Sequence, residues 1–180
     1  MNNENLFFNT IQFPRKIADK IEQAATNGPW WYLPDCAHPI GHELQSDTNP
    51  YFSCTLIRDR TPQQAMKNYD LSFFSKYIRL EKHTIARAHV TFHWPRPENF
   101  GIPHNFHIDQ QFPHIVALYY VNDADGDTIF CDEDDHSKII HRETPKKGKC
   151  VIFEGLHAYH ASSSPTKNIR MTLNINYDHL

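Results

Sequence analysis

The chain has 180 residues, 39% hydrophobic and 22% charged, which is enough apolar material for one globular domain with a real core and leaves little room for a second. Its formal charge of -3 creates no global field that would gather nucleic acid or an anionic membrane, and no conspicuous basic patch replaces one. The N-terminal MNNENLFFNT lacks a basic stretch followed by an apolar one, and the longest strongly apolar run, Ile115 to Val121, is far too short to span a bilayer, so a soluble, unexported, cytoplasmic protein is expected.

Cys36, Cys54, Cys131 and Cys150 show neither CxxC pairing nor zinc-like spacing, and their scatter predicts free thiols in a reducing compartment. Thirteen histidines raise the prospect of a transition metal, because imidazole is its commonest protein ligand.

In chain order, Pro14 to Thr26 carries Ile17, Ile21 and Ala24 at helical spacing and ends at Asn27-Gly28-Pro29. Trp30-Trp31-Tyr32-Leu33-Pro34 reads as a packed lid or core edge rather than a ligand-stacking platform, since aromatic burial alone accounts for it. Thr61-Pro62 reads as an N-cap and first helical residue, with a helix to about Tyr77. From there the period changes. Tyr77 to Lys82, Thr84 to Trp94, His114 to Val121, Asp127 to Cys131, Lys138 to Arg142, Cys150 to Glu154 and Arg170 to Tyr177 are short β-prone segments. The expectation is a mainly β fold, an antiparallel sandwich or jelly roll, in one domain over 1–180: a helical and loop region over about 1–76 and a β-rich core over about 77–180.

His107-Ile108-Asp109 puts an imidazole and a carboxylate on one face of an extended segment, because residues i and i+2 project together. Alone the triplet is weak, since chance supplies about one His-x-Asp in such a chain. A second histidine near Gly155, some fifty residues on, would complete a set of two imidazoles and one carboxylate, which suits Fe(II) and leaves coordination positions open. Arg170 opens a strand whose Met171, Leu173, Ile175 and Tyr177 form one face and whose Arg170, Thr172, Asn174 and Asn176 form the other. If the polar face lines an interior, the buried guanidinium needs an anion, and a dicarboxylate fits because arginine grips a carboxylate through two parallel bonds. An exposed arginine on a sheet surface is the equal alternative on strand logic alone.

Phe106-His107-Ile108-Asp109, Tyr119-Tyr120-Val121-Asn122, Gly126-Asp127-Thr128-Ile129-Phe130, Val151-Ile152-Phe153, Tyr159-His160-Ala161-Ser162 and the segment Arg170 to Tyr177 together resemble the prolyl 4-hydroxylase-like branch of the 2-oxoglutarate/Fe(II) dioxygenases in order, spacing and flanks. The resemblance implies a double-stranded β-helix with the site inside its open end. It makes His107, Asp109 and His160 the iron ligands, and Arg170 the anchor for the distal carboxylate of 2-oxoglutarate, helped by Thr172 and Tyr120. It implies Fe(II), 2-oxoglutarate and O2, with ascorbate as a further cofactor, and release of succinate and CO2. Asp109 argues against halogenation, because halogenating members replace that carboxylate. The substrate it implies is peptidyl proline, with a free amino acid or other small metabolite close behind.

Two departures stand out. His160 follows Phe153 by seven positions where relatives commonly have about six, which calls for a bulge or small insertion and keeps His157 as an alternative third ligand. His89 stands where many small relatives carry an asparagine facing the site. An AlkB-type nucleic-acid demethylase shares the fold and triad, but its second arginine six residues after the first is here Asn176. A metal-free jelly-roll binding module is the third reading, against which the intact triad and Arg170 both speak. His141-Arg142-Glu143 reads as a surface turn, Asp132-Glu133-Asp134-Asp135-His136 as a solvated hairpin loop, and Lys146, Lys147 and Lys149 as a turn rather than a phosphate grip. Specificity is expected from the loops Trp94 to Asn105 and Trp30 to Tyr32.

Overall fold

In the computed structural model, which describes residues 9–34 and 50–179, two antiparallel sheets face each other with helices against the outer surface of the larger one. Strands β1 (Asn9–Gln12), β2 (Trp31–Leu33), β3 (Tyr51–Arg58), β4 (Thr61–Pro62), β5 (Ile85–His93), β6 (His114–Tyr120), β9 (Lys149–Glu154) and β11 (Arg170–Asp178) make the larger sheet, in the order β1-β9-β6-β11-β5-β3-β2, with β4 paired to β3. The smaller sheet runs β10-β7-β8, from His160–Ser162, Thr128–Cys131 and Ile139–Glu143. This is the expected mainly β jelly roll.

The period-2 alternation of β11 explains the layering. Met171, Leu173, Ile175 and Tyr177 enter the core that α1 (Arg15–Thr26) and α2 (Leu71–Tyr77) cover, through Ile17, Ile21, Leu71 and Phe74. Val116, Leu118, Tyr120, Val151 and Phe153 point the other way, toward Phe130 of the smaller sheet. The helix α1 has the bounds its periodicity predicts, with Pro14 at its cap and Asn27 ending it.

Three expectations are corrected. Thr61 and Pro62 do not start a helix. Asp59 and Arg60 both take positive φ, 48° and 61°, and this tight reversal folds Thr61–Pro62 back onto Ile57–Arg58 as β4. A 3-10 turn over Gln64–Asn68 follows, and α2 begins only after Asp70, whose side chain accepts from the Phe73 amide at 2.9 Å.

Tyr77 to Lys82 is not a strand. It is the end of α2, where Leu80 N–H bonds Ser75 O at 2.8 Å and Arg79 N–H bonds Lys76 O at 3.1 Å around Arg79 at φ 64°. Nor is the N-terminal part only helix and loop, since β1 and β3 are members of the larger sheet. Trp30 packs on Phe92 with ring centres 5.7 Å apart, as a core edge should, but Trp31 and Tyr32 on the edge strand β2 are 71% and 58% exposed.

Cys54, Cys131 and Cys150 are buried free thiols, and Cys36 lies outside the described residues. No helix among the described residues is long and apolar enough to cross a membrane.

Candidate metal centre

His107 and His160 are far apart in sequence and adjacent in space because each donates its backbone N–H to the other's carbonyl, both at 3.0 Å. Asp109, two residues on, joins them, and the potential ligand atoms of all three lie within 4.8 Å of one another. Side-chain adjustment of about an ångström brings such a set onto one ion with bonds of about 2 Å.

The hydrogen bonds around the three fix which atoms would face such an ion. His107 Nδ1 stands 3.0 Å from Asn105 O and His160 Nδ1 stands 2.9 Å from Ala158 O. A carbonyl only accepts, so both Nδ1 atoms carry the proton and both Nε2 lone pairs point away from the backbone. Oδ2 of Asp109 takes the amides of Asn174 at 3.0 Å and Asn176 at 2.9 Å, and Oδ1 accepts no hydrogen bond among the described residues. Two imidazole nitrogens and one carboxylate oxygen on one face match an Fe(II) centre with open positions.

Electrostatics prepares the same states. Burial pushes His160 down to about 4, and His107 pushes the same way, so its imidazole is neutral and able to donate its lone pair. Burial opposes ionisation of Asp109, but His160 and His107 in their protonated forms, Arg87, and the Asn174 amide outweigh it and hold the carboxyl well below the usual range. His157, the alternative third ligand, is elsewhere: its half-exposed ring pairs with Glu133 at 3.0 Å, which raises its pKa.

The extra residue before His160 sits in a turn rather than a sheet bulge. Glu154 accepts from the amides of Leu156 and His157, both at 2.9 Å, and this closes the turn after β9.

A cavity of about 370 Å³ opens on the triad and has Arg170 and Thr172 in its wall. Arg170 is only 3% exposed; its Nε donates to Gly126 O at 2.9 Å and its Nη2 to Thr128 Oγ1 at 2.8 Å. Thr172 shares a 2.7 Å hydroxyl contact with Thr91. Tyr120 is fully buried and stands one layer behind the cavity wall, donating to Thr128 Oγ1 at 2.8 Å.

Sequence reasoning singled out Arg170, Thr172 and Tyr120 but missed Thr128, the acceptor that links two of them. It also missed Arg87, His93 and Gln111 in the cavity wall. The alternation of Arg87, His89, Thr91 and His93 with Ala86, Ala88 and Val90 is the signal that would have found the first two. His89 is buried in the same wall, its Nδ1 without a protein partner among the described residues. The loop Trp94 to Asn105 contributes nothing to this wall among the described residues; Tyr51 and Tyr159 do.

His141 is in β8, not a turn, and meets Glu143 at 3.3 Å. Asp132 is tied to Lys138 at 3.0 Å across the β7–β8 hairpin, and Lys147 reaches Asp19 and Glu22 of α1.

No family model and no curated protein matches this sequence. Solved structures do match it in fold. An oxidoreductase of the 2OG-Fe(II) oxygenase family from Burkholderia pseudomallei superposes with a TM-score of 0.65 at 13% identity, over 94% of this chain and 84% of that one. A Pseudomonas putida prolyl-4-hydroxylase gives 0.63 at 12% identity, over 96% and 92%. A prolyl hydroxylase from Trichoplax adhaerens, solved with a peptide of the hypoxia inducible factor oxygen degradation domain, gives 0.63 at 15%, over 94% and 82%. The chain therefore has the fold of the 2-oxoglutarate/Fe(II) oxygenases, prolyl hydroxylases among them.

Proposed function

We propose that this protein is a single-domain oxygenase dependent on Fe(II) and 2-oxoglutarate, acting as a hydroxylase on peptidyl proline or a small amino-acid-like substrate. The observation that carries the reading is the pair of imidazoles held in the same tautomer beside an ionised carboxylate with one free oxygen, in the wall of a cavity that also holds a buried arginine. His107, Asp109 and His160 would hold Fe(II) through Nε2, Oδ1 and Nε2. Arg170 would hold the distal carboxylate of 2-oxoglutarate, with Thr172 beside it and Tyr120 acting through Thr128. When bound, the ion and co-substrate supply oxygen activation coupled to decarboxylation to succinate and CO2, with hydroxylation of a substrate C–H bond.

The protein's own share is position. Buried Arg170 keeps its fork aimed by two acceptors, so little ordering remains to be done when a carboxylate arrives. The two asparagines hold Asp109 in one rotation, so its free oxygen is presented in a fixed direction.

The test is calorimetric binding of 2-oxoglutarate to the anaerobic Fe(II) protein, followed by succinate release in air with ascorbate present. Binding and uncoupled succinate release are expected, and both His107→Ala and Asp109→Ala abolish the release. Protein that takes up Fe(II) but binds no 2-oxoglutarate overturns the reading.

A further inference from the structure

β5 and β11 are antiparallel neighbours in the sheet that walls the cavity, with His93 opposite Arg170, Thr91 opposite Thr172, His89 opposite Asn174 and Arg87 opposite Asn176. The ladder therefore has an arginine toward each end. The two positions are six steps apart along β11, roughly 20 Å at the rise of a strand. Asp109 is bonded to Asn174 and Asn176, so the metal-binding carboxylate lies toward the Arg87 end.

Arg87 belongs to the cavity wall, while its strand neighbours Ala86 and Ala88 are buried among apolar groups. It is partly buried, yet it donates no hydrogen bond and forms no ion pair among the described residues. Arg60, a surface arginine of the same chain, instead forks onto Asp178 through two 2.8 Å bonds. The carboxylate that Arg87 acts on is Asp109, and both Asp109 oxygens have other work: one takes two amides and the other would hold the metal.

Among the described residues, the charged side chains of the cavity wall are Arg87, Arg170 and Asp109. With neutral histidines the wall carries one net positive charge. A divalent ion and doubly charged 2-oxoglutarate cancel each other, so the loaded cavity keeps that charge, and it resides at Arg87. A partly buried guanidinium without a partner is unfavourable, and a carboxylate is its natural complement because two parallel bonds match both groups.

We infer, on the reading of the site as a 2-oxoglutarate oxygenase, that Arg87 anchors a carboxylate of the substrate, which is a small carboxylic acid of amino-acid size and not a residue inside a peptide. Size follows from position. Arg87 and Asn176 are cross-strand partners with Cα atoms about 5 Å apart, and Asn176 holds Asp109. The bond to be hydroxylated thus lies only a few atoms from the anchored carboxylate. A cavity of about 370 Å³ shared with the co-substrate leaves room for a molecule of that size.

The experiment is calorimetric titration of the anaerobic protein loaded with Fe(II) and 2-oxoglutarate. The ligands are free L-amino acids and 2-hydroxy acids, each compared with its carboxamide, together with a prolyl peptide blocked at both ends. At least one acid is expected to bind ten times or more tighter than its amide. Arg87→Gln erases that preference and Arg87→Lys restores part of it, and the blocked peptide binds no better than the amides. A panel in which no acid outbinds its amide, tighter binding of the blocked peptide, or an undiminished preference in Arg87→Gln overturns the inference and leaves the oxygenase reading standing. Wild-type protein that binds no 2-oxoglutarate at the loading step overturns the oxygenase reading itself.

Discussion

His107 and His160 exchange backbone hydrogen bonds in both directions at 3.0 Å, so the position of one imidazole is set by the backbone of the other. His157, three residues earlier, is outside this bridge and is held by Glu133 on the surface. His160→Ala is therefore expected to lower Fe(II) affinity at least a hundredfold, while His157→Ala leaves it within about threefold, since only the former removes a ligand. Equilibrium titration with Fe(II) or Co(II), read by the metal's own absorption, separates the two. A large loss in His157→Ala would put the third ligand in the wrong turn of the chain.

Thr128 is the acceptor that two buried donors share, Arg170 Nη2 and the Tyr120 hydroxyl, each at 2.8 Å. Thr128→Val keeps the shape and removes the oxygen, so both donors lose this shared acceptor. The expected loss is about 1–3 kcal/mol of stability, read as a fall in the denaturant midpoint, with 2-oxoglutarate bound about tenfold more weakly. Thr128→Ser restores both. Tyr120→Phe deletes a donor instead of the shared acceptor and has the smaller effect on co-substrate binding.

Asn174 and Asn176 both donate to Oδ2 of Asp109, and Asn176 also donates to Asn174 Oδ1 at 2.9 Å. Asn176→Ala removes one restraint on the carboxylate and one on its companion amide. Metal affinity is expected to fall about 10- to 100-fold, with the double variant Asn174→Ala/Asn176→Ala falling by less than the product of the two single effects. The same titration reads all three variants; strictly multiplicative losses would mean that the asparagines do not act as one unit.

What was legible in the chain follows from which signals are local. The alternation of β11 revealed the core face and put Arg170 on the opposite one, because strand period depends only on neighbouring residues, while the burial of Arg170 needed the second sheet to be in place. The turn at Asp59-Arg60 was hidden, since neither residue is the glycine or asparagine that usually accepts positive φ, and Thr61-Pro62 then imitated a helix start. Arg79 hid the end of α2 in the same way. The contact of His107 with His160 and the pairing of Arg87 with Asn176 depend on register between strands distant in sequence, which no local pattern encodes. Gly126 is a mixed case. Its place beside Asp127-Thr128 was part of the resemblance, but only the structure explains it: a Cβ there would meet Ser163 O at 2.5 Å, and its carbonyl accepts from Arg170.

His89 sets an acid limit on the fold. Burial, with Arg87 adding in the same direction, pushes its pKa from 6.5 down to about 3 in the folded protein. The folded chain keeps this imidazole neutral where the unfolded chain protonates it, so the unfolded state binds more protons between those values. Stability is therefore full above about pH 6.5 and is lost as pH falls, by about 1.4 kcal/mol per unit from this group alone. His160, pushed down to about 4, adds a loss of the same sign over its own narrower range. His89→Asn removes the first contribution because an amide does not titrate. Urea unfolding of the metal-free protein at steps from pH 7 to pH 4 should show a slope against pH shallower in the variant by about 1.4 kcal/mol per unit. Equal slopes would mean that water or a proton reaches His89 in the folded state, and its unpartnered Nδ1 would then have a solvent partner.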